Sequence, residues 1–248
     1  MKKKKKNKTY KFLVSCEHVI FKEIIDKKVI IPMFYGKLNH EKKYEIKLDN
    51  KERYITSIKQ AEIDITIIEI LEKDNIPENK FLNIDCNYLN GYELYKDKGI
   101  YLAGYPNNMN GDRCISSGKI EKIEKIEGFG KIEGKCFYVF EHSLDTEEGS
   151  SGSPICLSDK KVIGIHIGSD KKTNINYGLF IGEIFEILDD NLKKNSNNYG
   201  LNIINNNKDM NYNNKNNYTN KINNMKNSSY RFNNQNNNSF SFNRNNNW

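Results

Sequence analysis

Between residues 10 and 194 the sequence is a succession of short segments rich in β-branched and aromatic residues, and no other feature restricts the fold as strongly. The most apolar segment is Asp64-Ile-Thr-Ile-Ile-Glu-Ile70, and turn signals such as Asn90-Gly91 separate neighbouring segments. Many short strands between turns are typical of β barrels and sandwiches. We therefore predict an all-β fold with two units of similar size, over residues 10–90 and 91–194.

A helix and two tails complete the predicted organisation. Apolar residues recur at helical spacing from Ile184 onward, so a helix is predicted from Ile184 to Lys194. Residues 1–9 form a basic N-terminal tail. Roughly half of residues 195–248 are Asn. Such a segment buries too little apolar surface to offset the entropy of ordering it, so a disordered low-complexity tail is predicted.

The excess of basic residues lies in these tails. The chain has a net charge of +7, of which residues 1–9 contribute +6 and residues 195–248 contribute +5, so residues 10–194 carry a net charge of −4. A mildly acidic folded part argues against a nucleic-acid groove, although the tails can attract polyanions weakly. The longest apolar runs are short and interrupted by charges, so no segment is predicted to span a membrane.

The cysteines argue against a structural metal and against a disulfide framework. They are Cys16, Cys86, Cys114, Cys136 and Cys156, an odd number without a C-x-x-C pair. Free thiols in a reducing compartment are the simplest interpretation. The apolar stretch after the basic start is also too short for a secretory signal. We therefore expect a cytoplasmic or otherwise intracellular location and no metal. No nucleotide-binding loop is visible, so no cofactor is expected.

One loop has the composition of a nucleophile turn. In Gly149-Ser-Ser151-Gly-Ser-Pro154 the small neighbours would let a substrate carbonyl approach the Ser151 hydroxyl closely. The backbone N–H groups of Gly149 and Ser151 are placed to hold an oxyanion together. Taken alone, a Gly/Ser segment of this kind is more often an ordinary turn.

A serine nucleophile needs a base, and the base needs a carboxylate. His18 follows an apolar strand, where an imidazole would be held at the rim of a barrel. Asp64 opens the most apolar strand, although an acid there is also compatible with a simple strand start. The order His18, Asp64, Ser151 is the His-Asp-Ser order of double β-barrel peptidases. Together the three residues predict an active site between the two β units.

On these motifs the sequence resembles the trypsin-like serine peptidases of the chymotrypsin clan over about residues 10–190. The resemblance rests on Ser15-Cys-Glu-His18, on the strand that Asp64 opens and on the Ser151 loop. It implies two packed antiparallel β barrels and hydrolysis of polypeptide substrates through an acyl-enzyme. In that scheme Ser151 attacks, His18 transfers the proton and Asp64 orients His18, while Gly149 and Ser151 stabilise the oxyanion.

Within that clan, the segment from Asp145 to Pro154 is similar to the bacterial glutamyl endopeptidases of the V8-like type. That resemblance implies that Thr146 and His166 bind an acidic side chain next to the scissile bond. The alternative assigns the pocket to Asp145, because trypsin-like enzymes place an acid there to bind Arg or Lys. Both alternatives remain open from the sequence.

Other positions follow from, or depart from, the same resemblance. The backbone of Ile167, Gly168 and Ser169 is expected to pair with the substrate as an added strand. Ser150 stands where trypsins have an Asp, so activation by a new N-terminus is not expected.

The family normally has a glycine-containing strand before the histidine strand, and only Met1–Thr9 precede that strand here. The first barrel is therefore expected to lack its first strand, unless another segment replaces it or the chain begins further upstream. The alternative function is a catalytically inactive, protease-like module that binds peptides.

Overall fold

Antiparallel strands form most of the structure. The computed structural model describes residues 10–34, 43–60, 63–107, 112–128 and 134–188. Its strands are β1 (Lys11–Ser15), β2 (Ile30–Phe34), β3 (Lys43–Lys47), β4 (Ile55–Gln60), β5 (Ile63–Ile70), β6 (Gly99–Gly104), β7 (Cys114–Glu127), β8 (Cys136–His142), β9 (Pro154–Leu157), β10 (Val162–Asp170) and β11 (Ile175–Phe180). The predicted tails at 1–9 and 195–248 lie outside the described residues.

The helical segments are short. Helix α1 covers Lys22–Asp26, and a second helix, α2, covers 181–188 within the described residues. Short 3₁₀ turns occur at Glu72–Asp74, Glu78–Lys80, Cys86–Asn90 and Tyr92–Tyr95. The C-terminal helix was predicted from the sequence, but it begins at residue 181 and not at Ile184, because Ile181 is also buried and extends the apolar face by one turn. The sequence pattern did not predict α1.

The second β unit is a closed barrel. Its strands follow the order β10-β11-β8-β7-β6-β9, and β9 pairs back with β10. Apolar side chains from these strands fill the interior, among them Ile120, Phe140, Ile155 and Phe180. Closure gives every strand of the ring a neighbour on each side over at least part of its length. The prediction of an antiparallel β barrel is confirmed for this half of the chain.

The first β unit is built differently from the expected barrel. Among the described residues it consists of a three-stranded sheet, β1-β5-β4, and a separate hairpin, β2-β3, and no strand pairing joins the two. Ile68 and Ile70 of β5 and Ile31 and Ile46 of the hairpin share one apolar cluster. The hairpin therefore covers one face of the sheet through side-chain packing.

The other face of the sheet packs against the barrel. Ile65 and Ile67 of β5 belong to the same buried cluster as Ile165 and Ile167 of β10. Strand β5 is thus covered on both faces, which explains why its sequence is nearly continuously apolar. The two β units share one core along this boundary, which we call the seam.

Strand β7 resolves a pattern that the sequence left uninterpreted. The Lys-Ile-Glu triplets from Lys119 to Glu127 have a period of three, which fits neither a strand nor a helix. The structure places them in β7, which pairs with β6 and β8 and contains a register shift between Ile120 and Lys122. Pairing with β8 over residues 120–127 and this bulge decide the conformation, and the hydrophobic period does not.

Two further expectations concern covalent links and membranes. All five cysteines are free in the structure. No helix in the described part of the chain is long and apolar enough to cross a bilayer.

A buried ion pair connects β4 and β5 to the loop that follows them. The Arg53 guanidinium makes two hydrogen bonds to the Asp74 carboxylate, at 2.8 and 2.9 Å, and a third to the carbonyl of Glu69. Both side chains are almost fully buried. Breaking a buried pair leaves an uncompensated charge in the interior.

We predict that Arg53→Met lowers the free energy of unfolding by about 3–5 kcal/mol. Urea denaturation followed by circular dichroism measures the change. Lys161→Met is the matched control, because the Lys161–Asp159 pair is exposed and exposed pairs contribute little. Equal effects of the two substitutions would contradict a stabilising role for the buried pair.

Candidate active site

His18 and Asp64 are joined by two hydrogen bonds. The Nδ1 atom of His18 lies 2.6 Å from Oδ2 of Asp64, and the backbone N–H of His18 donates to Oδ1 at 3.0 Å. The carboxylate accepts at Nδ1, so the proton of a neutral ring lies on Nδ1 and Nε2 is left as the basic atom. The His18 side chain is 38% exposed and that of Asp64 is 16% exposed, so the pair lies at the surface of the seam.

Strand β5 also holds the turn that carries His18. Ser15 at the end of β1 pairs with Thr66 of β5, which brings the following turn next to Asp64. The Thr66 hydroxyl donates to the carbonyl of Ile20 at 2.8 Å, and the Ile20 N–H donates to the carbonyl of Cys16 at 3.0 Å. The turn is therefore anchored at both ends, and the imidazole is held in place by contacts within the first β unit.

The Ser151 loop approaches this turn because Gly152 has no side chain. A Cβ atom on Gly152 would lie 2.7 Å from Oγ and 3.2 Å from Cα of Ser15, and its φ of +80° is one that other residues rarely adopt. The Gly152 N–H donates to the carbonyl of His166, which ties the loop to β10. Ser151 is thus held at the seam, beside the chain segment that leads to His18.

The same loop presents two backbone N–H groups. Gly149 has a φ of +96°, and a Cβ there would lie 2.8 Å from the Asn107 side chain. Ser150 is buried, and its N–H is used by the carbonyl of Glu147. Within the described residues, neither the Gly149 N–H nor the Ser151 N–H donates to a protein acceptor. Both remain available for an anionic oxygen.

A buried thiol that sequence reasoning missed lies beneath the pair. Cys16 Sγ donates to the carbonyl of His166 at 3.4 Å. Donor atoms of Cys16, His18 and Asp64 lie within 4.8 Å of one another, so these residues are the group best placed to hold a metal. Burial, together with the charge of Asp64, raises the pKa of Cys16 to about 12. A thiol with that pKa is protonated at neutral pH, so Cys16 in this state is a poor metal ligand.

His166 lies inside the end of the barrel and forms a pair with a second histidine. Nε2 of His142 is 3.2 Å from Nδ1 of His166, and each side chain is only 3% exposed. Burial lowers the pKa of His142 to about 3 and that of His166 to about 4, although hydrogen bonding to the Tyr177 backbone opposes the shift in both. Both rings are therefore neutral at physiological pH.

His142 was not predicted as a site residue. Its signal was the alternation in Cys136-Phe-Tyr-Val-Phe-Glu-His142, which places Phe140 and His142 on the interior face of one strand. An interior histidine needs a polar partner, and the sequence offered no means of identifying that partner across the barrel.

Thr146 belongs to the same polar cluster. Its hydroxyl donates to Oδ1 of Asn176 at 2.7 Å, and Nδ2 of Asn176 donates to the carbonyl of Leu144 at 2.9 Å. The N–H of Leu144 donates to Nδ1 of His142. Hydrogen bonds through Asn176, the Leu144 backbone and His142 thus link Thr146 to His166. These are the two residues that the sequence paired.

Asp145 is placed apart from that cluster. It lines a cavity of about 320 Å³ whose wall also includes Ser116, Glu147 and Ser150. Neither Thr146 nor His166 lines this cavity. Asp145 therefore lines this cavity without the alternative pair of specificity residues.

The backbone around Ile167 has an open side. Strand β10 pairs with β9 only between Val162 and Ile165, whereas its pairing with β11 continues to Asp170. A Cβ on Gly168 would meet nothing within 4 Å. In the part of the chain that the structure describes, Gly168 and Ser169 therefore have a strand neighbour on one side only, and Ile167 is the bulged residue before them. The other side is free to accept an extended peptide.

With this geometry in place, comparison with known proteins identifies the class of protein. The sequence pattern of the trypsin-like peptidase domain matches residues 6–165. The chain therefore belongs to the trypsin-like peptidase family and is a serine-type peptidase, a hydrolase.

Solved structures similar to the chain are serine proteases. They include Rv3671c from M. tuberculosis H37Rv in an inactive mutant form, with 17% identity over 72% of this chain and 76% of that chain and a TM-score of 0.50. The HtrA-type protease AlgW with a decapeptide matches at 12% identity over 72% of this chain and 47% of that chain, with a TM-score of 0.48. The first match shows the trypsin-like fold.

We predict that Gly152→Ala destabilises the protein by about 1–3 kcal/mol, because alanine is strained at this φ and its Cβ meets Ser15. Thermal unfolding monitored by intrinsic fluorescence measures the effect. Gly99→Ala is the control, since a Cβ there meets nothing within 4 Å. A Gly152→Ala variant as stable as the control would show that the loop does not depend on this contact.

Proposed function

We propose that the protein is an endopeptidase that hydrolyses peptide bonds through an acyl-enzyme, with His18, Asp64 and Ser151 as its catalytic triad. The observation that carries the proposal is the pair of hydrogen bonds from His18 to Asp64. Those bonds leave Nε2 of His18 as the basic atom, and Gly152 brings the Ser151 loop against Ser15, three residues before His18.

The proposed reaction has two stages, acylation of Ser151 and hydrolysis of the acyl-enzyme, and the same groups act in both. The Ser151 hydroxyl attacks the substrate carbonyl carbon while His18 takes its proton, and the Gly149 and Ser151 N–H groups stabilise the oxyanion. His18 then protonates the leaving amine and an acyl-enzyme remains. Water attacks the ester with His18 again as base, which releases the acid product and restores Ser151. Asp64 stabilises the imidazolium in both stages.

The substrate main chain is proposed to bind along the open side of β10. Ile167, Gly168 and Ser169 offer backbone donors and acceptors to an extended peptide. We expect the scissile bond of a peptide bound there to lie near the Ser151 loop, because that loop is joined to β10 by the hydrogen bond from the Gly152 N–H to the carbonyl of His166.

The residue before the scissile bond is proposed to have an oxygen-bearing side chain. The resemblance to glutamyl endopeptidases favours an acidic residue, and the connection between Thr146 and His166 supports a polar subsite at these two residues. A basic preference through Asp145 has less support, because Asp145 lines a different cavity.

A peptide-binding module without turnover is the second candidate. The observation that favours it is the first β unit, whose described strands form two separate sheets and no closed barrel. A reducing, intracellular setting is proposed for either function, because all five thiols are free.

The first test is labelling of the full chain by a fluorophosphonate probe. We predict that the wild-type chain is labelled and that Ser151→Ala is not, because only an activated serine reacts with the probe. Ser153→Ala is the control, since Ser153 lies in the same loop and has no proposed catalytic role. A folded wild-type chain without labelling would favour the binding module.

We also predict that Asp64→Asn reduces kcat/KM for a cleavable peptide about 10³–10⁴-fold, because the ring loses the carboxylate that holds its tautomer. Steady-state hydrolysis of a fluorogenic peptide measures the loss. Asp159→Asn removes an exposed carboxylate elsewhere and serves as the control. A loss of less than tenfold in Asp64→Asn would contradict the proposed triad.

A further inference from the structure

We infer that the subsite formed by Thr146 and His166 selects an uncharged carboxamide side chain, as in Gln or Asn, over a carboxylate. The inference rests on the proposed function and narrows its substrate class. It follows from the directions of the hydrogen bonds between the two residues, each of which is determined by a backbone group that has only one possible role.

The carbonyl of Leu144 determines which partner donates in the hydrogen bond between Thr146 and Asn176. A carbonyl only accepts, so the group of Asn176 that lies 2.9 Å from it is the NH₂ donor. The amide oxygen of Asn176 must then face Thr146, where it accepts the hydroxyl hydrogen at 2.7 Å. The hydrogen of Thr146 is therefore already used, and the Thr146 oxygen can only accept from a substrate.

The direction toward His166 is set by the N–H of the same residue, Leu144. It donates to Nδ1 of His142 at 3.4 Å, so that nitrogen carries no proton. A neutral His142 then has its proton on Nε2 and donates to Nδ1 of His166 at 3.2 Å. The proton of His166 consequently lies on Nε2, as a donor. The Tyr177 backbone favours the protonated form of both rings, but burial keeps both neutral at physiological pH, so the Leu144 N–H decides which nitrogen of His142 carries the proton.

The two residues at the ends of this hydrogen-bonded series thus offer opposite groups to a substrate. Thr146 offers an acceptor and His166 offers a donor, and a carboxamide has one NH₂ and one carbonyl oxygen to match them. A carboxylate has acceptors only, so it would face the Thr146 oxygen without a hydrogen between them. Polar groups left unpaired in a buried site are the strongest source of discrimination between similar side chains.

The charges around the subsite also favour a carboxamide over a carboxylate. Burial lowers the pKa of His166 to about 4, so the ring offers a neutral N–H at neutral pH and no positive charge. Asp145 and Glu147 flank Thr146 along the chain and are exposed, so they add negative potential close to the subsite. A buried carboxylate there would have no countercharge from these residues, whereas a carboxamide needs none.

The test compares peptides of one sequence that differ only in the residue before the scissile bond. We expect kcat/KM for Gln to exceed that for Glu, and that for the similarly sized Met, by about tenfold or more at neutral pH. Titration calorimetry of the Ser151→Ala full chain with product peptides ending in Gln or Glu makes the same comparison without turnover. A preference for Glu in either assay would overturn the inference and leave the triad intact.

Variants connect the preference to the hydrogen-bond chain. Thr146→Val should reduce the ratio of Gln to Met about tenfold, because the acceptor is lost while the shape is retained. Thr173→Val is the control, since the Thr173 hydroxyl bonds Asp170 outside the subsite. His142 acts through His166 as a positioning residue. His142→Phe should therefore lower the same ratio, and His142→Gln, which keeps an N–H donor, should restore part of it.

The outcomes distinguish the inference from the proposed function. Loss of Ser151-dependent probe labelling would count against the triad, while the calorimetric order of Gln and Glu would still decide the inference. If Thr146→Val leaves the Gln preference unchanged, Thr146 does not contact the substrate side chain that determines it. That result would overturn the inference.

Discussion

Gly152 packs directly against Ser15, and the position of the Ser151 loop relative to the His18 turn depends on that contact. Each partner is held independently. The loop is tied to β10 through the carbonyl of His166, and the turn is tied to β5 through Asp64 and Thr66. The apolar seam between β5 and β10 then keeps the two anchors together. The geometry of the proposed active site is therefore a property of packing between the halves, and neither half contains it alone.

The polar cluster inside the barrel follows from a second constraint, the need to satisfy every buried polar group. The end of the barrel holds two neutral imidazoles, an amide and a hydroxyl among apolar side chains. Leu144 supplies both a donor and an acceptor from its backbone to this cluster. One residue of the loop after β8 thus determines the orientation of groups on three strands. The same requirement that stabilises the barrel end gives it a defined chemical polarity.

The β-strands and the second barrel could be predicted from the sequence, because short apolar segments and turn residues are local signals. The triad candidates were also readable, because each lies in a local motif at the end of a strand or in a glycine turn. The pairing of His142 with His166 was not, because it depends on which strands are neighbours in the barrel. The separation of Asp145 from Thr146 was missed for a similar reason, since adjacent residues can face different cavities. The open first unit reflects packing of a hairpin without strand pairing, which leaves no pattern in the sequence.

Division of the site across the seam has a consequence during biosynthesis. The histidine and aspartate belong to the part of the chain that is made first, whereas the serine loop and the strand that anchors it come later. With the proposed triad, a nascent or partly folded chain holds either a base without a nucleophile or a nucleophile without a base. We expect such a chain to be inert toward its own exposed loops and toward neighbouring polypeptides. Assembly of the seam is in this sense the step that completes the proposed active site.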